Sequence, residues 1–357
     1  RLTSLGALNN FTNQGTKMKS RNIHRLSIIT LLLTSFVISP ESAVSEDTEV
    51  IVYSARKEHL IKPLFDAYTQ KTGVKIKYIT GKEGALLERL KAEGKKTPAD
   101  MLITVDAGNL WQATQEGVLQ PVESEILTKA IPENLRDPQN NWFGLSVRAR
   151  TIVYNTDKVD PTDLRSYEDL SSDRWKSRLI LRTSKKVYNQ SLVASLIAAH
   201  GEEKAAEIVS GWVNNLAADP FSNDTKALEA VAAGLGDVTV VNTYYFGRLM
   251  KEKPELPLAI FWPNQQSDGV HMNVSGAGIV AHADNREGAQ KLLEWLAGEE
   301  AQQSFAALNM ECPANPAVQP DPTVAAWGAF NGSPLNVALY GKLQAQAIIL
   351  MDKAGYK

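Results

Sequence analysis

Segments with the hydrophobic pattern of strands alternate with segments of helical hydrophobic spacing along the first half of the chain. Apolar runs with the character of strands lie at 49–53 (EVIVY), 74–79 (VKIKYI) and 100–104 (DMLIT). Apolar residues at helical spacing fall between and after these runs: Leu60, Ile61, Leu64, Phe65 and Tyr68 before the stop signal Gly73, then Leu86, Leu87 and Leu90, then the stretch 107–115. Strands that alternate with helices over short polar turns predict an α/β sheet with helices on its faces.

The second half of the chain continues this pattern. Further strands are predicted at 142–147, 151–155, 179–182, 237–242 and 273–280. Further helices are predicted at 191–199, 202–216, 227–233 and about 335–353, with a helix pair over 286–307. Arg148 and Arg150 lie between the first two of these strands, and a loop at 183–188 follows the third. The strand at 237–242 runs directly into Tyr244 and Tyr245, which places both phenols at a strand-to-helix junction.

The N-terminal part of the chain carries the pattern of a secretory signal peptide. Met18 is followed by the bases Lys19, Arg21 and Arg25, and then by an uncharged apolar run at 26–38. Small residues follow near Ser45. The apolar run is shorter than the ~20 residues that a membrane-spanning helix needs, although an uncleaved anchor stays open as an alternative. We therefore predict a signal peptide at 18–45, with 1–17 upstream of it, and a periplasmic location.

Composition and charge narrow the class of protein. At ~100–200 residues per domain, 357 residues predict two domains. The chain has 38 Lys and Arg against 40 Asp and Glu. Without residues 1–45, which hold five bases and one acid, the formal charge is −6. This balance gives no reason to expect a nucleic-acid partner. A single cysteine, Cys312, excludes an intrachain disulfide and a cysteine-rich metal site.

Local signatures of common enzymes are missing. No histidine lies in an H-E-x-x-H pair, and the chain has no G-x-S-x-G elbow and no phosphate-binding G-x-x-x-x-G-K-[ST] loop. We therefore predict a protein that is not an enzyme, and an exported enzyme with an unfamiliar site remains the less favoured alternative.

Polar side chains gather at the predicted ends of strands, where open α/β sheets bind their ligands. Three of them are tyrosines (Tyr188, Tyr244 and Tyr245) and three are arginines (Arg56, Arg148 and Arg150). Asp106 is the one carboxylate among them. A phenol has a pKa near ~10, so at neutral pH it becomes a phenolate only when a cation displaces its proton. A hard trivalent ion such as Fe³⁺ can do so. Three phenolates would balance its charge, and the arginines would hold an anion.

Simpler interpretations of the same residues stay open. A tyrosine pair after a strand often packs against a helix end, and Tyr188 has the spacing of an amphipathic surface residue. Arg148 and Arg150 could be solvated, and His59 could be exposed at a helix start. Asp106 precedes the helix at 107–115 and is suited to cap it.

The chain from 47 to 357 resembles the periplasmic ferric-iron-binding proteins, the FbpA/FutA-like substrate-binding components of iron ABC transporters. The N-x-Y-Y stretch after a strand and the earlier Y-N-x-S-L are the specific part of the resemblance. The matching stretches are Val52-Tyr53-Ser54 with Arg56, Thr97-Pro98-Ala99-Asp100, Trp142-Phe143-Gly144-Leu145 with Arg148-Ala149-Arg150, Tyr188-Asn189-Gln190-Ser191-Leu192, Asn242-Thr243-Tyr244-Tyr245, and Asn273-Val274-Ser275-Gly276.

The resemblance implies a two-lobed periplasmic-binding-protein fold of type II character, with a mixed sheet flanked by helices in each lobe and hinge strands between them. The lobes are expected at 46–147 plus 270–320 and at 148–269 plus 321–357. It also implies a monomer that works with a membrane permease and an ATPase.

The resemblance further implies a ligand set. The metal ligands would be Tyr188, Tyr244 and Tyr245, and Arg56 and Arg148 would hold a synergistic carbonate or bicarbonate. The weaker site candidates are His59, Arg150 and Asp106. Some relatives carry a His or a His-Tyr pair in the turn after the first strand, whereas this chain reads Ser54-Ala55-Arg56-Lys57-Glu58 there. Three tyrosines and an exogenous anion are therefore expected. Ferrous iron stays open as the cargo, as does a metal-free site for phosphonate, sulfate or a small carboxylate.

Overall fold

A computed structural model describes residues 49–357, so the predicted signal peptide at 18–45 lies outside the described residues. The strands among these residues are β1 (Glu49–Ser54), β2 (Lys75–Thr80), β3 (Met101–Val105), β4 (Leu119–Gln120), β5 (Phe143–Asn155), β6 (Leu179–Ile180), β7 (Val238–Asn242), β8 (Leu258–Phe261), β9 (Met272–Val280) and β10 (Cys312–Pro313).

Twelve α-helices accompany the strands within 49–357, and none of them has the length and hydropathy needed to cross a membrane. They are α1 (Glu58–Thr72), α2 (Glu83–Glu93), α3 (Ala107–Gln115), α4 (Glu125–Ala130), α5 (Val187–His200), α6 (Glu202–Asn214), α7 (Asp224–Ala232), α8 (Thr243–Glu252), α9 (Arg286–Ala297), α10 (Glu299–Ala307), α11 (Pro322–Ala325) and α12 (Ala338–Lys353).

The strands form one mixed sheet in the order β2-β1-β3-β9-β5-β7-β6, with β4 paired to β9 and with β8 and β10 paired to β5. The pairs β1–β2, β1–β3 and β6–β7 are parallel, and the pairs made by β5 and β9 are antiparallel. The predicted α/β class is confirmed. The short strands β4, β8 and β10 were not predicted, because runs of two to four residues carry too little periodicity to recognise.

Strand β5 joins the two halves of this sheet. Residues 143–149 pair with β9, and residues 150–155 pair with β7 and β8. The prediction of two strands at 142–147 and 151–155, with Arg148 and Arg150 between them, is therefore wrong. One strand of 13 residues runs through both arginines, all of it buried. Buried guanidinium groups inside a strand are tolerated because ion pairs compensate their charge. The predicted lobe boundaries stay a prediction.

Two helices begin close to strand ends, one of them earlier than the pattern predicted. Helix α5 starts at Val187 instead of residue 191, so Tyr188 lies in its first turn and not in a loop. Its start lacks the usual signal, because the preceding Lys186 makes no side-chain capping bond. Helix α8 starts at Thr243, directly after β7, which puts Tyr244 and Tyr245 in its first turn. Both helices therefore present phenols at their N-terminal ends.

Candidate metal centre

The three predicted tyrosines line one cavity of about 240 Å³ together with Arg56, Arg148 and Glu311. A larger cavity of about 350 Å³ lies elsewhere in the described part of the chain, but no charged residue lines it. Charged side chains and phenols therefore converge on the first of these two cavities, at the ends of strands and the starts of helices, where ligands of α/β proteins bind.

The phenols lie against one another at the starts of α5 and α8. The ring centroids of Tyr244 and Tyr245 are 4.5 Å apart with an angle of 35° between the planes. Tyr188 and Tyr244 lie close enough to influence each other's pKa, although the two residues come from different helices. The Asn242 side-chain amide donates to the Tyr244 hydroxyl oxygen at 3.2 Å. The phenols of two helices thus line the same cavity.

Burial keeps the proton on two of these phenols. Desolvation raises the pKa of Tyr188 and raises that of Tyr244 well above its usual value, and the neighbouring phenols Tyr188 and Tyr245 raise the Tyr244 pKa further. The nearby positive charge of Arg148 acts in the opposite direction on both pKa values. Tyr188 and Tyr244 are therefore neutral in the metal-free protein at neutral pH, and only a strongly polarising cation would displace their protons.

Several cations surround the phenol rings. The guanidinium carbon of Arg182 lies 5.3 Å from the Tyr188 ring centroid and 6.0 Å from that of Tyr245. The guanidinium carbon of Arg248 lies 4.9 Å from the Tyr244 ring centroid. The first turns of α5 and α8 add the positive ends of two helix dipoles. This environment favours a negatively charged set of ligands, and neither arginine was predicted as a site residue.

A buried carboxylate, Glu311, joins the two arginines that were predicted to hold the anion. One Glu311 oxygen (Oε2) accepts from Arg56 Nη1 at 3.0 Å and from the Ser146 hydroxyl at 2.6 Å. Its other oxygen (Oε1) lies 3.6 Å from Arg148 Nη1. Desolvation alone would raise the pKa of Glu311, but the two guanidinium groups and the Ser146 hydroxyl outweigh it and hold this pKa below its usual value. Glu311 is therefore ionised, and the cluster carries a net charge of +1.

Sequence reasoning missed Glu311 because no local signal marks it. The residue lies between α10 and the short strand β10, which pairs with β5 at Ser146 and Val147. That pairing brings the carboxylate to the two arginines, and it depends on a contact between distant parts of the chain.

The two arginines keep unused hydrogen-bond donors. Arg56 Nε and Nη2 and Arg148 Nε and Nη2 are buried and have no hydrogen-bond partner among the described residues. Buried donors of this kind are costly unless something accepts from them. A small anion in the adjoining cavity would satisfy them, whereas Glu311 alone does not.

The three weaker site candidates fall in different places. His59 is exposed and lines the cavity. Asp106 is fully buried away from it and caps α3, since its Oδ1 accepts from Gly108 N at 2.9 Å and from the Ser191 hydroxyl at 2.8 Å. Arg150 also lies away from the cavity and donates its hydrogen bonds to other groups of the protein, including Asp224. The capping interpretation of Asp106 is thus the observed one.

The turn after β1 provides no aromatic ligand. Lys57 lines the cavity, and the neighbouring Glu58 accepts a hydrogen bond from the Tyr78 hydroxyl at 2.8 Å. Glu83 also lines the cavity, and its Oε1 lies 3.2 Å from Lys186 Nζ, which links the start of α2 to the start of α5. The cavity lining therefore offers three phenols, together with the imidazole of His59 and the carboxylates of Glu83 and Glu311, and both carboxylates are already paired with cations.

Comparison with known proteins gives consistent results. Residues 63–332 match the family described as "Bacterial extracellular solute-binding protein". "Iron uptake protein A1" of Synechocystis is 44% identical over 336 residues, which cover 91% of this chain and 93% of the relative. A Trichodesmium FutA structure with iron and citrate ligands has a TM-score of 0.84 at 45% identity, covering 87% of this chain and 100% of that one. The ferric iron-binding protein A of Mannheimia haemolytica in an open conformation has a TM-score of 0.82 at 33% identity, covering 87% and 99%.

Proposed function

The chain belongs to the bacterial extracellular solute-binding proteins, in their iron-uptake branch, and from this premise we propose that it binds ferric iron with Tyr188, Tyr244 and Tyr245. The two-lobed periplasmic-binding-protein fold predicted from the sequence is confirmed by the structural relatives. The observation that carries the proposal is the convergence of three phenols from two helices on one cavity.

The charge of the site supports the ferric over the ferrous ion. Fe³⁺ and three phenolates sum to zero, and the net charge of +1 on Arg56, Arg148 and Glu311 then matches one singly charged anion, whereas Fe²⁺ with the same ligands and anion would leave one uncompensated negative charge in a buried site. The raised pKa values of Tyr188 and Tyr244 add a second argument, because the trivalent ion displaces phenol protons more readily. Iron binding is then coupled to proton release.

The arginine pair supports a small, singly charged anion as the partner of the iron. Glu311 neutralises one of the two guanidinium charges of Arg56 and Arg148, so one positive charge remains for an exogenous ion. Bicarbonate has that charge and enough oxygens to accept from the unused arginine donors while it also reaches the metal. A more highly charged anion such as citrate would gain less from this cluster than from a pair of unpaired arginines.

Delivery follows from the fold and the relatives. Closure of two lobes on a bound ion buries it, and the closed form is the state that a membrane permease can distinguish from the open form. In iron ABC-transport systems, a periplasmic binding protein delivers iron to a membrane permease that an ATPase powers. The relatives of this chain are binding proteins and not enzymes. We expect the carrier to act as a monomer.

Visible absorption spectroscopy tests the proposal. Adding a ferric salt and bicarbonate to the metal-free protein should produce a phenolate-to-iron charge-transfer band that saturates at one iron per chain. The variants Tyr188→Phe and Tyr244→Phe should each weaken the band and lower iron affinity by more than about 100-fold. Loss of a residue that only hydrogen-bonds to a metal ligand costs about 10- to 100-fold, and loss of a direct ligand should cost more. Tyr78→Phe is the matched control, because that phenol bonds to Glu58 away from the cavity. A band unchanged in both ligand variants would contradict the proposal.

A metal-free anion site is the second candidate, and the unused donors of Arg56 and Arg148 favour it. Calorimetric titration of the metal-free protein with sulfate, phosphate and a phosphonate separates the two candidates. Tight binding of one of these anions without iron, and no charge-transfer band with iron, would favour the second. Anion binding that is weak alone and strengthened by iron is the result that ferric binding predicts.

A further inference from the structure

A second cluster of metal-ligand side chains lies at the opposite end of α5 from Tyr188. Glu168, His200 and Asp268 converge there, each with one ligand atom within 4.8 Å of the others. His200 Nε2 is 2.8 Å from Glu168 Oε1 and 3.4 Å from Asp268 Oδ2. The carboxylates thus face the same imidazole nitrogen. They come from the segment after β5 and from the segment between β8 and β9, and α5 supplies the histidine.

A small cavity and a buried histidine adjoin this cluster. The cavity has a volume of about 20 Å³, room for one ion or water molecule, and Glu168, His200, Asp268 and His271 all line it. His271 is 2% exposed, and neither of its ring nitrogens has a hydrogen-bond partner among the described residues. Burial, together with the charges of Arg150 and Arg148, lowers the pKa of His271 to about 3, so its imidazole is neutral and keeps a free lone pair.

We propose that Glu168, His200 and Asp268 bind a divalent transition-metal cation of the Zn²⁺ class, at a site separate from the ferric site. One imidazole nitrogen and two carboxylate oxygens are ligand types that Zn²⁺ accepts, and the two carboxylates neutralise its charge. A fourth position would be open to water held near His271.

The observed spacing is close to what such an ion requires. Tetrahedral Zn²⁺ with bonds of about 2.0–2.2 Å separates its ligand atoms by roughly 3.3–3.5 Å. The separation of 3.4 Å between His200 and Asp268 already lies in this range, whereas the 2.8 Å between His200 and Glu168 must widen by roughly 0.5–0.7 Å. The site is accessible as well, because the Asp268 side chain is 46% exposed.

An outer partner already orients one ligand. The Asn264 side-chain amide donates to both oxygens of Glu168, at 3.1 and 3.0 Å, which fixes the carboxylate toward His200. Outer hydrogen bonds of this kind are a regular feature of metal sites. A bound ion would connect three separate segments of the chain and hold the C-terminal end of the helix whose other end carries Tyr188.

Calorimetric titration with Zn²⁺ tests this site independently of iron. The Tyr188→Phe/Tyr244→Phe protein serves as the background, because it lacks two phenols of the ferric site and any Zn²⁺ bound there. It should bind one Zn²⁺ per chain. Adding His200→Asn or Asp268→Asn should weaken that binding by more than about 100-fold. Loss of a residue that only hydrogen-bonds to a metal ligand costs up to about 100-fold in affinity, and loss of a direct ligand should cost more. His282→Asn, at an exposed histidine elsewhere, is the matched control and should leave it unchanged.

Two results would overturn the proposal. One is the absence of Zn²⁺ binding in the background protein, which would make the cluster an ion pair only. The other is Zn²⁺ binding that survives both substitutions. Circular dichroism shows whether each variant is folded. If His200→Asn has a folding defect, Asp268→Asn still decides the question, because it alters an exposed side chain. Co²⁺ offers a second readout, since its visible spectrum reports tetrahedral ligation by the same side chains.

Discussion

Arg148 and Arg150 lie two residues apart on β5 and are almost equally buried, at 2% and 1% exposure, but their surroundings differ. Arg148 borders the tyrosine cavity, bonds to the Ser275 hydroxyl at 2.7 Å and keeps two nitrogens without a partner. Arg150 pairs with Asp224 at 3.3 Å and donates to the Asn189 side chain at 2.7 Å.

The difference teaches how one strand can serve two purposes. Arg150 is nearly saturated by hydrogen bonds to the protein itself, on Asp224, Asn242, Asn189 and the Val240 carbonyl, although Asp224 also pairs with Arg182. Arg148 lines the cavity and leaves two donor nitrogens without a partner, against one for Arg150, so its hydrogen-bonding capacity and the net positive charge that it shares with Arg56 and Glu311 remain for something that enters the cavity. We infer that Arg150 stabilises the fold and that Arg148 serves the ligand.

The strongest test of this division is Arg150→Met. Removing one partner of a buried ion pair leaves the other charge uncompensated, at a cost of roughly 3–5 kcal/mol in the free energy of unfolding. Arg182 still lies 3.5 Å from Asp224, so the lower end of that range is expected. Urea unfolding followed by circular dichroism measures the effect. A loss below about 1 kcal/mol would show that Arg150 does not have the structural role assigned here.

Arg148→Met should act mainly on iron binding and on its pH dependence. Arg148 lowers the pKa values of Tyr188 and Tyr244, so its removal raises both further above neutrality. Iron binding releases one proton from each neutral phenol, so each phenol lowers iron affinity about tenfold when the pH falls by one unit. Tyr188 and Tyr244 together lower it about 100-fold per pH unit.

The variant should therefore release iron at a higher pH than the parent protein. Absorbance of the charge-transfer band during acid titration measures the midpoint. A midpoint that stays in place, or one that moves as far in Arg150→Met as in Arg148→Met, would contradict the distinction between the two arginines.

Glu311→Gln should have the smallest of these effects, a change of anion preference. The amide keeps the shape of the carboxylate but removes its charge, so the arginine pair carries +2 instead of +1. Charges about 4 Å apart at an effective dielectric constant of ~20 interact by about 4 kcal/mol. A shift of about tenfold or more toward doubly charged anions such as sulfate, relative to bicarbonate, is therefore a conservative expectation. Iron titrations at a series of anion concentrations would reveal it, and an unchanged ratio would contradict the role given to Glu311.

The sequence was sufficient for much of the fold and for the phenols. Tyr244 and Tyr245 follow a strongly apolar strand, so their place at a strand-to-helix junction was readable from periodicity alone. Tyr188 was assigned to a loop because its helix begins without a capping side chain. Such errors move a helix start by one turn but leave the side chain near the same end of the sheet.

The charged part of the site could not be predicted in the same way. Glu311 reaches Arg56 through a contact between residues 255 positions apart, and no local pattern encodes that contact. The separate roles of Arg148 and Arg150 likewise depend on which distant carboxylate each one meets, Glu311 or Asp224. Burial and pairing in three dimensions decide these roles, whereas the residue types at the two positions are identical.

Anomalous diffraction at the iron absorption edge, from crystals grown with ferric iron and bicarbonate, tests the central claim most directly. We expect one iron peak within coordination distance of the hydroxyl oxygens of Tyr188, Tyr244 and Tyr245, with a small anion between the metal and the guanidinium groups of Arg56 and Arg148. An iron peak bound by other side chains, or phenol oxygens that point away from the metal, would contradict it.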